Sequence, residues 1–151
     1  MIIIQGIAGL KEYLGKEIGV SDWLTITQER INEFAHATGD HQWIHTDPAR
    51  ATAELPYKNT IAHGFLTLSL APHFLHEIYQ VEGIKMAINY GLNNVRFTAP
   101  VVTNSLLRMR ASLIEIENKA GGCKTTSRLT FEVEGKNKPV CLADTLTVFY
   151  A

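Results

Sequence analysis

Asp40 and His45 are the two residues in this sequence whose chemistry and spacing combine most directly. A carboxylate beside an imidazole can hold a water molecule and move its proton, because imidazole titrates near neutral pH. On an α-helix, side chains five positions apart point about 140° away from each other. The pair could therefore act on one atom only from a loop, and we predict a loop from Asp40 to His45.

The residues on both sides of this segment support a tight connection between two helices. Thr27 is a suitable N-cap for a first helix, and apolar residues follow at helical spacing until Gly39, a residue typical of the position after a helix. Thr46 or Asp47 can cap a second short helix that begins at Pro48. We expect a loop fixed at both ends to direct the two side chains towards a common point.

The composition limits the range of functions. With 151 residues, 46% hydrophobic and 19% charged, the chain fits a single domain over residues 1–151 with a substantial core. A net charge of −1 gives no electrostatic reason to expect nucleic acid or an acidic membrane surface as a partner. The apolar run Met1–Ile4 is too short for a signal peptide, and no segment is long enough to span a membrane, so we expect a cytoplasmic protein.

Neither cysteines nor histidines form a recognisable metal motif. Cys123 and Cys141 are too few and too far apart for a disulfide framework or a zinc site, and Cys141 alternates with apolar neighbours as a buried thiol would. Two histidine pairs have ligand-like spacing: His41 with His45, and His73 with His76. No HExxH arrangement accompanies them, and the expected loop removes the helical face on which such spacing works. We predict no metal.

The rest of the chain predicts one apolar helix and a set of strands. From His63 to Tyr79, apolar residues cover nearly the whole circumference of a helix, which is typical of a buried helix, and Pro72 should kink or interrupt it. Alternating patterns and turn residues predict strands over Gly19–Thr25, Lys85–Phe97, 107–113, 128–134 and 140–150. The expected fold is α+β, with about five mostly antiparallel strands wrapped around the central helix.

Several motifs in this order resemble the MaoC-like, (R)-specific enoyl-CoA hydratases, which have the hotdog fold. The matching residues are Phe34-Ala35, Thr38-Gly39-Asp40, His45, Ala51, Ala62-His63-Gly64, Val95-Arg96-Phe97 and Pro100-Val101. The sequence GDHQWIH, which begins at Gly39, and the segment 89–93 are most similar to the NodN-like branch. The resemblance covers nearly the whole chain.

Two positions depart from the family pattern. Gln42-Trp43 replaces the usual Asn-Pro, which changes the local loop, and Asn104 stands where a glycine is usual. Asparagine tolerates the left-handed backbone conformation that glycine supplies. Neither change removes Asp40 or His45.

The resemblance implies hydration of a trans-2-enoyl-CoA to the (R)-3-hydroxyacyl-CoA, and the reverse dehydration. It implies that Asp40 and His45 activate water, and that the backbone N–H of Gly64 stabilises the thioester oxygen. Which of the two side chains gives the proton to C2 stays open, as does the choice between coenzyme A and acyl carrier protein. His63, Trp43 and Phe65 are candidates for lining the pocket.

The resemblance also implies a homodimer and no cofactor, since coenzyme A is part of the substrate. Two alternatives remain: a hotdog acyl-CoA thioesterase, and a noncatalytic acyl-thioester-binding accessory protein of the NodN-like type. Taken singly, Asp40 could cap a turn and His45 could be a core histidine. Their spacing inside the longer motif favours catalysis.

Overall fold

A computed structural model describes residues 1–151 as two sheets and six short helices. The strands are β1 (Ile2–Gln5), β2 (Lys16–Val20), β3 (Leu24–Thr25), β4 (Tyr79–Glu82), β5 (Met86–Phe97), β6 (Leu106–Lys119), β7 (Gly122–Val133) and β8 (Cys141–Tyr150). The helices are α1 (Gly6–Lys11), α2 (Gln28–Thr38), α3 (Trp43–Thr46), α4 (Pro48–Glu54), α5 (Gly64–Ser69) and α6 (Ala71–Ile78).

The main sheet is antiparallel and runs in the order β2-β6-β7-β8-β5, with β3 also paired to β6. The predicted alternation is confirmed in its centre, where the inward side chains of β6 and β7 are almost fully buried and their neighbours are not. The buried residues are Leu107, Met109, Ala111, Leu113, Leu129, Phe131 and Val133. This face forms the core against α5 and α6.

The predicted central helix is two helices. It is interrupted at Leu70, and Pro72 stands in the first turn of α6, where its missing N–H costs no helical hydrogen bond. Burial on most sides was predicted, but one side of the pair is open. Phe65 is 69% exposed and Phe74 is fully buried, so the helices bury only the side that faces the sheet.

The predicted sheet of about five strands is confirmed, with one of the predicted strands divided in two. The strand predicted over Gly19–Thr25 divides into β2 and β3, so the main sheet has six strands. The first residues of the chain form β1, which pairs in parallel with β4 directly after α6. Period-two patterning cannot reveal a four-residue strand whose partner is 77 positions away.

The segment between α2 and α4 contains one helical turn that the sequence did not predict. Thr27 caps α2 through a bond from the Arg30 N–H, and Gly39 ends it with a φ of 77°, both as expected. Asp47, one of the two predicted candidates, caps α4. His45, however, lies in the turn α3, so the non-helical residues of this segment are residues 39–42 and Asp47.

Strand β5 forms an open edge of the main sheet. It pairs with β8 on one side, and all but one of its twelve residues are exposed. Apolar side chains are exposed along this edge: Met86, Ile88, Tyr90, Leu92 and Phe97. No helix of the molecule is long and apolar enough to cross a membrane.

The cysteines and Asn104 agree with the sequence predictions. Cys123 and Cys141 are free and buried, and burial raises the pKa of the Cys141 thiol to about 11. Asn104 has a φ of 66°, the left-handed conformation for which a glycine would otherwise be used.

Candidate functional site

Asp40, His45 and His63 meet at one point of the molecule. Asp40 follows α2, His45 lies in α3, and His63 immediately precedes α5. One carboxylate oxygen and one ring nitrogen from each histidine lie within 4.8 Å of one another. Hydrogen bonds of about 2.8 Å at a near-tetrahedral angle can span that separation through one water molecule. The spacing of Asp40 and His45 thus places both groups within reach of a common water, although a helical turn rather than an open loop carries His45.

The orientation and tautomer of His45 are fixed by its surroundings. The ring is 7% exposed, and its Nδ1 lies 2.6 Å from the backbone oxygen of Ile61. Because a carbonyl can only accept, Nδ1 carries the proton, and Nε2 of the neutral ring keeps a free electron pair. Burial lowers the pKa of His45 below its ordinary value of 6.5, against the opposing effect of the Ile61 bond. The lowered pKa keeps the ring neutral at neutral pH, and the bond to Ile61 leaves Nε2 as the nitrogen that can accept a proton.

Asp40 is held more loosely. Its carboxyl side chain is 55% exposed. Oδ1 accepts a bond from the Gln42 N–H over 3.3 Å, and Oδ2 lies 3.9 Å from Nε2 of His63. The Gln42 bond makes Asp40 the first residue of a local turn, which was its alternative role in the sequence. The same bond leaves Oδ2 available to a water or a substrate.

His63 links the other two residues. Its ring stacks on that of His45 with centroids 3.8 Å apart, and its Nε2 donates to the backbone oxygen of Asp40 over 3.0 Å. The ring is 3% exposed and also packs against Phe34 of α2. Its Nδ1 is buried without a protein partner. The sequence suggested His63 only as a residue that lines the pocket. Its position directly before Gly64, at the start of a helix, was the signal that could have indicated contacts with the other site residues.

A cavity of about 330 Å³ opens beside His45 and the start of α5. Its walls include His45, Gly64, Thr67, Phe97, Val101 and Val140. Gly64 is the first residue of α5, so its N–H has no acceptor within the helix. A Cβ at this position would lie 2.9 Å from the Phe97 ring. The packing of Phe97 thus leaves no room for a side chain at position 64, and Gly64 and His45 line the same cavity.

None of the three candidates for lining the pocket, His63, Trp43 and Phe65, forms the wall of this cavity, and Asp40 also lies outside its wall. Trp43 is covered by the Arg50 guanidinium, 4.1 Å from its ring centroid, so it anchors α3 against α4. Phe65 faces a second cavity of about 530 Å³ between α5, α6 and β5. Phe65 and Phe97 contact each other edge to face, with centroids 5.8 Å apart, where the two cavities adjoin.

The group Asp40, His45 and His63 offers donor types that could hold a metal ion. Direct ligation at about 2.0–2.2 Å would require the three atoms to approach more closely than their present separation of up to 4.8 Å. The absence of a metal from the working enzyme stays a prediction.

Comparison with known proteins identifies a protein family and close relatives that match most of the chain. The family described as "MaoC like domain" matches residues 10–134. The 3-hydroxyacyl-thioester dehydratase Z of Mycobacterium tuberculosis is 50% identical over 152 residues, covering all of both chains. Nodulation protein N of Rhizobium leguminosarum bv. viciae is 43% identical over 145 residues, covering 94% of this chain and 89% of that protein.

A solved structure supports the fold. The unliganded (R)-hydratase PhaJ1 from Pseudomonas aeruginosa superimposes with a TM-score of 0.70 at 23% identity, covering 91% of this chain and 81% of that one. The sheet wrapped around α5 and α6 is thus the hotdog arrangement that the sequence predicted.

Proposed function

The chain belongs to the MaoC-like family of hotdog-fold dehydratases and hydratases, and from this premise we propose that it catalyses the (R)-specific hydration of trans-2-enoyl-CoA and the reverse dehydration. The observation that carries the proposal is that a carboxylate oxygen of Asp40 and a ring nitrogen of His45 lie within 4.8 Å of each other, while the Nδ1 bond to Ile61 leaves Nε2 of His45 as the basic nitrogen. The name of the Mycobacterium tuberculosis relative, a 3-hydroxyacyl-thioester dehydratase, supports a thioester substrate for this chain.

In the hydration direction, Nε2 of His45 accepts a proton from water while the hydroxide oxygen bonds to C3 of the enoyl group. The C2–C3 double bond supplies electrons to the thioester, and C2 then takes a proton from the Asp40–His45 pair, which returns the proton removed from water and completes the addition of one water. Asp40 holds the water and shares the proton transfer with His45. A pair that acts from one side of the substrate favours syn addition, which agrees with the proposed (R)-3-hydroxyacyl product.

The backbone at Gly64 stabilises the charge that builds on the thioester oxygen. Its N–H has no helical acceptor, and it borders the same cavity as His45. Loss of one such donor typically costs about 2.7–4 kcal/mol of activation free energy. This loss is comparable in size with the roughly 10²- to 10⁴-fold rate contribution of a positioned acid or base. The reaction therefore needs both the Gly64 N–H and the Asp40–His45 pair.

The test is an assay of the purified protein with crotonyl-CoA and longer 2-enoyl-CoA homologues, without added metal. We expect loss of the enoyl-thioester absorbance and formation of the (R)-3-hydroxyacyl product. Release of free thiol without hydration would instead indicate the thioesterase. Tight binding without turnover would indicate the noncatalytic accessory protein.

We also propose a homodimer joined through the open edge of β5. The unpaired backbone of this strand and its exposed apolar side chains would be covered by an antiparallel β5 from a second copy. Ile88→Lys should disrupt this pairing, because charged edge residues oppose it. Ile3→Lys is the matched control, since Ile3 on β1 is 45% exposed and Ile88 is 44% exposed.

Light scattering should then give a dimer for the wild-type protein and Ile3→Lys, and a smaller species for Ile88→Lys. An active wild-type monomer would contradict the proposed dimer.

A further inference from the structure

Gln28 is hydrogen-bonded behind the site through both ends of its side-chain amide. It is the first residue of α2, and its Nε2 donates to the backbone oxygen of His45 over 2.7 Å and to Oδ1 of Asn32 over 2.8 Å. Its Oε1 accepts from the hydroxyl of Thr60 over 2.5 Å. The His45 carbonyl can only accept, so the orientation of the amide is determined.

The Thr60 end of this bridge leads to the residue that orients the His45 ring. Thr60 is fully buried, and its backbone oxygen accepts from the backbone N–H and the hydroxyl of Thr103, both over 3.0 Å. The next residue, Ile61, donates to the backbone oxygen of Ile44 over 3.0 Å and accepts from Nδ1 of His45. Gln28 therefore ties the backbone of His45 to the segment that carries its ring acceptor.

We propose that Gln28 is a positioning residue for His45, holding the α3 turn and the Thr60–Ile61 segment in the register that sets the direction of Nε2. The inference rests on the proposed hydratase function. Without the amide, the His45 carbonyl and the Thr60 hydroxyl lose a shared partner, and the two segments are held together by fewer hydrogen bonds, those of Ile61 with Ile44 and with the His45 ring. A displacement of about 1 Å at a reacting group can cost about 100-fold in rate.

The main variant is Gln28→Met, which keeps the length of the side chain and removes its polar atoms. We expect kcat for crotonyl-CoA to fall about 10- to 100-fold with KM changed by less than about twofold, because the base is misdirected while the binding cavity is intact. Asn32→Ala is the matched control, since it removes only the exposed partner of the same amide. It should keep wild-type kcat.

A second readout does not depend on activity. The Nδ1–H of His45, identified by its loss in His45→Gln, should give a protected downfield signal in the proton–nitrogen NMR spectrum of the imidazoles. Gln28→Met should weaken or shift this signal, and Asn32→Ala should not. If no hydration is detected for the wild-type protein, the proposed function fails while this signal still tests the positioning role.

The proposal is overturned if Gln28→Met lowers only the melting temperature and keeps both kcat and the Nδ1–H signal. Should Gln28→Met fail to fold, Thr60→Val and Thr60→Ser replace it. Val removes the hydroxyl that bonds Gln28 and Ser retains it, so we expect the same losses in Thr60→Val and recovery in Thr60→Ser. Equal kcat and an unchanged signal in both would also overturn the proposal.

Discussion

His45 and Asp40 end the same short segment, yet the fold holds them in opposite ways. His45 is 7% exposed and is bonded through both its ring and its backbone carbonyl. The Asp40 carboxyl is 55% exposed and has one hydrogen bond, to the N–H two residues later. His45 is thus part of the packed interior, whereas Asp40 is held by a local turn and by the hydrogen bond that its backbone oxygen accepts from Nε2 of His63.

This contrast has a consequence for stability. A buried, bonded side chain contributes to both folding and activity, whereas a half-exposed carboxylate can be changed with little effect on folding. Substitutions at the two positions should therefore separate the two properties.

The largest effect is expected for His45→Gln. Loss of the base should lower kcat/KM about 10²- to 10⁴-fold, and the disturbed Ile61 bond in a buried site should lower the free energy of unfolding by about 1–3 kcal/mol. Rates with crotonyl-CoA and urea unfolding measure the two changes. His41→Gln, at an exposed position four residues earlier, is the control and should leave both unchanged. Wild-type rates in His45→Gln would remove His45 from the mechanism.

Asp40→Asn should lower kcat/KM at least about 100-fold while the free energy of unfolding stays within about 0.5 kcal/mol of the wild-type value. The amide keeps an oxygen for the Gln42 N–H but cannot take a proton from water. Asp22→Asn, another exposed aspartate, serves as the control for a change of charge. A large loss of stability in Asp40→Asn would show that the contrast between the two residues is wrong.

The local signals in the sequence predicted most of the site's framework. Thr27, Gly39 and Asp47 mark helix ends through their own side chains or backbone, so the limits of α2 and the start of α4 were predictable. The turn α3 was not, because four residues contain too little periodicity to distinguish a helical turn from a loop. The side chains of Asp40 and His45 still lie close together, as predicted, because the helical turn begins only at Trp43 and Asp40 stays outside it.

Long-range contacts were beyond the reach of sequence patterns. The role of Gln28 depends on Thr60, which lies 32 positions away, and the link from His63 to Asp40 spans 23 positions. Neither contact has a spacing that a helix or a strand would impose. The apolar pattern did not predict the open side of α5, because Phe65 has the same apolar character whether it faces the core or a cavity; only the family resemblance made Phe65 a candidate for lining a pocket.

His63→Gln should produce a smaller loss, about tenfold in kcat. This change removes the ring that stacks on His45 and alters the bond to the Asp40 backbone, so both residues lose part of their support while neither reacting group is removed. Hydrogen exchange at the Gln42 amide should become faster, because the Asp40 turn loses its link to the interior. His73→Gln is the control, since that side chain is 46% exposed. Unchanged hydrogen exchange at the Gln42 amide and unchanged kcat would show that the Asp40 turn is stable without the His63 ring.

The smallest expected effect is the pH dependence of stability and rate that His45 contributes. Because burial lowers the pKa of the folded imidazole below 6.5, the unfolded chain binds the proton more readily. The stability contribution is therefore complete above pH 6.5 and is lost as the pH falls through the folded pKa. The rate should follow the same direction, with kcat/KM falling on the acid side at a midpoint below 6.5, since only the neutral ring accepts a proton.

Urea unfolding between pH 5 and pH 8 measures the stability part, taken as the difference between the wild-type protein and His45→Gln. A midpoint above 6.5, or a difference that grows as the pH falls, would mean that the fold favours the protonated ring. The buried, neutral base would then be excluded, and the distinction between an interior His45 and a surface Asp40 would lose its physical basis.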